Sequence, residues 1–222
     1  MEGNLTGRLR GLYRAAARKP VTVRLLDPAP TGGMGGWRWC RAGLRHPESY
    51  RQQLQAIFGA TEAEPRILVP GPVVVEEVAA VRMLAEEFGR PFLLGAMLEL
   101  PRACLAADEL AEVTDFLTFG TNDLTQAVFG MARDEARFEL IPYYLEQGLL
   151  PGDPFRYLDE RVLELMALAV QKARKVPVGV CGDHAGVPAN IPTLDRLGVD
   201  WVSCYPRQVP LVRLAAGGEG SP

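Results

Sequence analysis

Two short apolar runs, each ending in a carboxylate and separated by a helix-length segment, constrain the fold of this chain more than any other feature. The first, residues 92–98, runs into Glu99 and then Pro101, which has no N–H to continue a ladder and marks the exit from a sheet. Residues 103–114 carry Leu105, Leu110 and Val113 with acidic residues between them, which predicts one helix. The second run, residues 115–119, ends in Gly120-Thr121-Asn122-Asp123, predicted as a loop of small polar residues that presents backbone N–H groups. Parallel strands joined by a helix bring both strand ends to one rim of a sheet, so Glu99 and Asp123 are predicted to face one space. Two hard oxygen ligands there suit Mg²⁺, with Mn²⁺ as the alternative. Taken singly, each acid could instead cap the helix that follows it or sit in solvent.

Four further apolar runs, near Val21, Arg66, Val178 and Trp201, bring the strand count to six. They alternate with helical patterns at residues 47–59, 75–88, 158–175 and 206–216, and a further helix begins at Leu124. That alternation predicts an α/β fold with a parallel sheet. Residues 1–20 read as a basic N-terminal helix, with Leu9, Leu12, Tyr13 and Ala16 at helical spacing between arginines. Residues 21–216 form the main domain, and 217–222 are predicted to be a disordered tail. Residues 143–148 and 151–155 are predicted as loop.

With 48% hydrophobic and 23% charged residues in 222, the chain fits one soluble domain. A net charge of −3 argues against a nucleic-acid partner held through phosphates. No apolar run is long enough to span a bilayer and the N-terminus lacks the apolar core of a signal peptide, so no membrane partner is expected and the expected compartment is the cytoplasm. Cys40, Cys104, Cys181 and Cys204 are widely spaced, and reduced thiols are expected.

The wording around the two acids is specific. Met97-Leu-Glu-Leu-Pro-Arg-Ala103 and Phe119-Gly-Thr-Asn-Asp-Leu-Thr-Gln126 resemble signature segments of the phosphoenolpyruvate (PEP)-utilizing enzymes, above all the C-terminal domain of the pyruvate, phosphate dikinases. PEP synthase and enzyme I of the sugar phosphotransferase system are relatives in that family. Val21-Thr-Val-Arg-Leu-Leu-Asp-Pro28 resembles the family's VTIRLLDP, which implies that Arg24 holds substrate phosphate; on the residues alone, Arg24 could instead pair with Asp27. The glycine-rich stretch 31–43 resembles NPMLGxRGCRLG, which implies a phosphate contact for Arg38. There Gly32-Gly33 replaces Asn-Pro, Trp39 stands where the family has glycine, and the connection from Arg24 is shorter. The resemblance also implies substrate binding by Thr121, Asn122 and Arg133. Val178-Gly-Val-Cys-Gly-Asp-His184 resembles the segment whose cysteine moves a proton at the pyruvate methyl carbon, so Cys181 is the candidate acid/base; on composition alone it could equally be an inert buried thiol. Neighbouring cations and a metal are expected to bring its pKa toward neutrality. His184 is expected to organise its loop rather than accept phosphate.

The resemblance implies an incomplete TIM-type (β/α) barrel holding about six of eight strands, the first two being absent. Two open sheet edges would follow, and the N-terminal helix or a second subunit is expected to fill part of the gap. A homodimer is expected from the family. Neither histidine lies in the family's phosphohistidine context and no nucleotide-grasp module is recognisable, so a complete cycle within this polypeptide is not expected. Three functions remain: Mg²⁺-dependent binding of PEP/pyruvate with phosphoryl exchange with a histidine on a separate protein; a Mg²⁺-dependent lyase or aldolase working through a pyruvate enolate; and a non-catalytic PEP-binding or regulatory module.

Overall fold

A computed structural model describes residues 2–17, 19–27 and 36–217. The expected break after Asp27, residues 31–35 of the glycine-rich stretch, Met1, Arg18 and residues 218–222 of the predicted tail lie outside the described residues.

In chain order the elements are α1 (Glu2–Ala15), β1 (Thr22–Arg24), α2 (Cys40–Arg45), α3 (Pro47–Phe58), β2 (Arg66–Val69), α4 (Val75–Glu86) and β3 (Leu93–Leu98). There follow α5 (Pro101–Leu105), α6 (Ala107–Glu112), β4 (Phe116–Gly120), α7 (Thr121–Phe129), α8 (Arg133–Ala136), α9 (Leu140–Glu146) and α10 (Glu160–Lys172). The chain closes with β5 (Val178–Cys181), α11 (Ile191–Leu197), β6 (Trp201–Val202) and α12 (Val209–Gly217). All six described strands are parallel and pair in sequence order, forming a curled half-barrel with helices, an incomplete α/β barrel.

Side chains alternate across the strands. Ile67, Val69, Leu94, Ala96, Leu98, Leu117, Phe119, Val178 and Val180 point outward into the main core, where they meet Leu54, Ile57, Val78, Val81, Leu110, Val162 and Met166 from the helices. The other set lines the concave side, where Leu68, Met97 and Phe116 form a small separate cluster.

The single helix expected over residues 103–114 is two, parted at Ala106, where φ is −104° and ψ 22°. Leu105 is half exposed. It lies five residues from Leu110, about 140° round a helix, so one straight helix could not bury both. The predicted loop at 121–123 is the first turn of α7, because β4 passes into the helix directly. Much of the loop expected over residues 143–148 is the end of α9. Helix α10 is capped by Asp159, whose carboxylate accepts from the Arg161 N–H at 2.8 Å.

The N-terminal helix meets α3 more than any other element. It packs on α3, with Leu9 entering the main core and Arg10 donating to the Gly59 carbonyl at 2.9 Å. The free edge of β1 is also met by α3. The Gln53 side chain donates to the Arg24 carbonyl at 3.1 Å and accepts from the Leu26 N–H at 2.8 Å, while Tyr50 donates to the Leu26 carbonyl at 3.1 Å. The Leu25 N–H bonds to β2, so residues 24 and 26 face away from the sheet, and the Gln53 amide stands in for a missing strand there. Among the described residues no helix is long and apolar enough to cross a membrane.

Candidate active site at the open end of the half-barrel

The register places Leu98 opposite Phe119, which sets Glu99 beside Gly120 at the C-terminal rim of adjacent strands. A Cβ at residue 120 would stand 2.7 Å from the Glu99 Cβ and 2.8 Å from its Oε2, so only glycine lets the carboxylate sit there. Glu99 is 2% exposed, and its Oε1 has no hydrogen-bond partner among the described residues. Burial pushes its carboxyl well above the usual range, the nearby Asp123 adds to this, and Arg24 opposes it. The two acids therefore meet in one place, Asp123 from the first turn of α7.

Arg24 projects from β1 into a cavity of about 650 Å³ on the concave side, which Cys181 also lines. Its guanidinium has no partner among the described residues; the alternative pairing with Asp27 is not formed. Asp27 instead accepts from the Arg38 Nη2 at 3.0 Å and from the Trp39 N–H at 2.7 Å. Arg38 reaches Asp123 as well, its two terminal nitrogens lying 3.4 and 3.2 Å from the two carboxylate oxygens. Burial works against the Arg38 charge, but Asp123 and then Asp27 outweigh it and raise its pKa. Trp39 keeps a left-handed backbone, φ 57°, of the kind that favours glycine. Its buried ring lies under the Arg38 guanidinium, 4.8 Å from the centroid.

The Cys181 thiol donates to the Phe119 carbonyl at 3.2 Å. Its pKa is pushed up to about 12, first by burial and then by Glu99, with Arg24 pulling the other way. With no metal bound, burial and then Glu99 outweigh the one arginine that acts on this thiol, so the neighbouring cations alone do not bring it toward neutrality. In the metal-free protein the thiol is therefore protonated at neutral pH.

Arg133 stands apart from this group. Its Nη1 donates to Asp183 at 3.0 Å, in a neighbouring cleft that also holds Arg137, Arg156 and Arg207. A chain of bonds ties it back: Gln126 accepts from the Arg133 N–H at 2.7 Å and donates to Asp123, and Asn122 accepts from the Asp183 N–H at 3.0 Å. Thr121 is fully buried between the Cys181 carbonyl, at 3.0 Å, and the His184 Nδ1, at 2.9 Å. His184 Nε2 faces the Pro154 carbonyl at 2.8 Å and must carry a proton to bond there, while burial lowers the His184 pKa. A neutral ring then leaves Nδ1 as an acceptor, so the single Thr121 hydroxyl proton serves either the ring or the carbonyl. His184 thus organises its loop. Gly182 has φ 105°, and a Cβ there would stand 2.4 Å from the Thr121 Oγ1, so the cysteine loop docks on α7 only through glycine.

Asp27, Gln126 and Asp183 hold this network together, and none was singled out as a site residue from sequence. Asp27 had a signal, an acid directly after a strand that carries an arginine. Gln126 had only its place one turn after Asp123.

Among the described residues no group of three or more His, Cys, Asp or Glu side chains is arranged to hold a metal. Glu99 and Asp123 nevertheless fit a Mg²⁺ ion, which is commonly held by one or two carboxylates with substrate and water completing the shell. The partnerless, buried Glu99 Oε1 is the observation that supports the fit.

Comparison with known proteins gives the family and the fold. Residues 2–219 match the family model described as PEP-utilising enzyme, PEP-binding domain. Among curated proteins, pyruvate, phosphate dikinase 2 of Zea mays is 40% identical over 93% of this chain and 30% of its own length. The chloroplastic dikinase 1 of Oryza sativa is 37% identical over 93% of this chain and 28% of its own. The chain therefore spans less than a third of the length of these relatives. Each alignment runs over 265 residues, more than the 222 of this chain, so the relatives carry intervening segments that it lacks. Among solved structures, a citrate lyase of Burkholderia xenovorans superposes with a TM-score of 0.59 at 18% identity, over 96% of this chain and 73% of its own, a likeness of fold alone.

Proposed function

The chain belongs to the PEP-utilising enzymes as their PEP-binding domain, and we propose that it binds PEP and pyruvate in a Mg²⁺-dependent half-site that exchanges a phosphoryl group with a histidine on a separate protein. The single observation that carries this reading is the buried, partnerless Glu99 Oε1 beside Asp123, close enough to Arg24 and Cys181 for their charges to act on one another.

Glu99 and Asp123 would hold the cation, which when bound supplies electrostatic stabilisation of negative charge on the substrate's oxygens. Arg24 and Arg38 neutralise phosphate, the planar guanidinium matching its oxygens. Thr121 and Asn122 offer first-turn N–H groups of α7, where the helix dipole favours an anion. Arg133 holds Asp183 and so fixes the cysteine loop. Cys181, protonated at neutral pH, places its proton for delivery to C3 of the substrate, and the same sulfur takes it back in reverse. The half-site works as a homodimer in the cytoplasm, and light scattering at micromolar concentration should return twice the chain mass.

Release of tritium from C3 of pyruvate tests the reading. Exchange that requires Mg²⁺ and is lost in Cys181→Ala supports it. Oxalate binding without exchange favours the second reading, a non-catalytic PEP-binding module, which draws on one observation: Arg38 is already held by two carboxylates. Cleavage of 4-hydroxy-2-oxo acids would point to a lyase instead.

A further inference from the structure

The cavity on the concave side extends well beyond Arg24 and Cys181. It continues along the sheet past Leu68, Met97 and Thr118 to Arg66 and Trp201. There the Arg66 guanidinium lies over two aromatic rings that meet edge to face, 4.3 Å from the Phe116 centroid and 5.2 Å from that of Trp201, the two centroids being 6.2 Å apart. The rings lie over glycines: a Cβ at Gly95 would be 2.2 Å from Phe116, and one at Gly179 2.0 Å from Trp201. This is a built floor, made of two large rings that fit only because two strand positions have no side chain.

Arg66 Nε is buried without a hydrogen-bond partner, and the guanidinium meets neither acceptor nor carboxylate among the described residues. A partly desolvated cation with no counter-charge is unfavourable and recruits an anion. Arg24, at the other end, is exposed and also has no partner among the described residues. Arg24 is level with Leu68, so Arg66 lies two residues farther down, about 7 Å along the strand. The wall between the two cations is apolar, formed by Leu68 and Met97.

We infer that this lumen binds an organic dianion longer than pyruvate or PEP, with one acidic group at Arg24, the other at Arg66, and an apolar body against Leu68, Met97 and Trp201. The inference rests on the assignment of Arg24 as an anion-holding residue and adds Arg66 as the second anchor, which sets ligand length.

Calorimetric titration of the full chain with oxalate, succinate and adipate, with and without Mg²⁺, tests it. Adipate should bind, and Arg66→Gln should lower its affinity tenfold or more relative to oxalate. Leu68→Phe, which fills the lumen without altering a charge, should give the same relative loss, and it decides the matter if Arg66→Gln does not fold. The inference is overturned if adipate fails to bind, or if the folded variants leave the adipate-to-oxalate ratio unchanged. Adipate binding that depends on Arg66, in a protein that ignores oxalate and Mg²⁺, would support the lumen site while removing the proposed metal half-site.

Discussion

Arg38 grips Asp123 with both terminal nitrogens, at 3.4 and 3.2 Å, and so occupies the carboxylate that the proposed divalent ion would use. Guanidinium and metal compete for the same oxygens. Phosphate arriving with the metal gives Arg38 another partner, so the ion and the anionic substrate should bind cooperatively. Removing the guanidinium should therefore help the metal and harm the anion. Arg38→Gln is expected to raise Mg²⁺ affinity about tenfold in the absence of substrate, equivalent to ~1.4 kcal/mol. The same change should weaken PEP and oxalate. Paired titrations of Mg²⁺ and oxalate check both halves, and a variant that loses Mg²⁺ affinity would show that Arg38 organises Asp123 instead of blocking it.

Glu99 should make stability depend on pH. Its folded pKa lies above the unfolded value of about 4.3, so between the two the folded state binds the extra proton. Stability from this group falls as pH rises from about 4.3 through the raised folded pKa, and is flat beyond it. Glu99→Gln removes the dependence and should raise the metal-free melting temperature at neutral pH, by about 2–4 °C for each kcal/mol relieved. Mg²⁺ should stabilise the wild type and not the variant. Melting curves from pH 4 to 9, with and without Mg²⁺, read both effects.

The thiol at Cys181, pushed up to about 12, should resist alkylation. At pH 8 its thiolate fraction is on the order of 10⁻⁴, far below that of a free cysteine with a pKa of about 8.5. Both Cys181 and Cys204 are partly exposed, but burial raises the Cys181 pKa further, so brief treatment with iodoacetamide followed by peptide mapping should find Cys204 modified first. Under the proposed function, Cys181→Ala lowers C3 exchange by about 10²–10⁴-fold. Rapid labelling of Cys181 in the metal-free protein would contradict the protonated donor described here.

Gln53 bonds to both backbone groups at the free edge of β1, and it is buried. Gln53→Leu leaves the Arg24 carbonyl and the Leu26 N–H without partners and should cost about 1–3 kcal/mol per stranded group. Urea unfolding should show a lower midpoint with an unchanged slope. Because Arg24 and Asp27 flank that edge, oxalate affinity should fall together with stability.

Much of the fold could be read from residue order. Each of the six strands lies where an apolar run bounded by Pro, Gly or an acid places it, and their parallel pairing follows from the intervening helical patterns. Glu99 and Asp123 were legible as neighbours because parallel strands joined by a helix must end on one rim. Local breaks were less so. Leu105 and Leu110 share an apolar pattern on paper, but their five-residue spacing turns them away from each other, and the helix divides at Ala106.

The amino-acid order by itself determined the alternation of strands and helices, the rim that carries the acids, and the membership of the family, since these depend on local periodicity and on long runs of matched residues. The tertiary structure alone decided which charges pair. It gave Asp27 and Asp123 to Arg38, left Arg24 and Arg66 without carboxylates among the described residues, and drove the Cys181 thiol upward beside Glu99. The reason is physical: a charge's partner and a group's pKa depend on distances of a few ångströms and on burial between segments remote in the chain, and no local pattern encodes either.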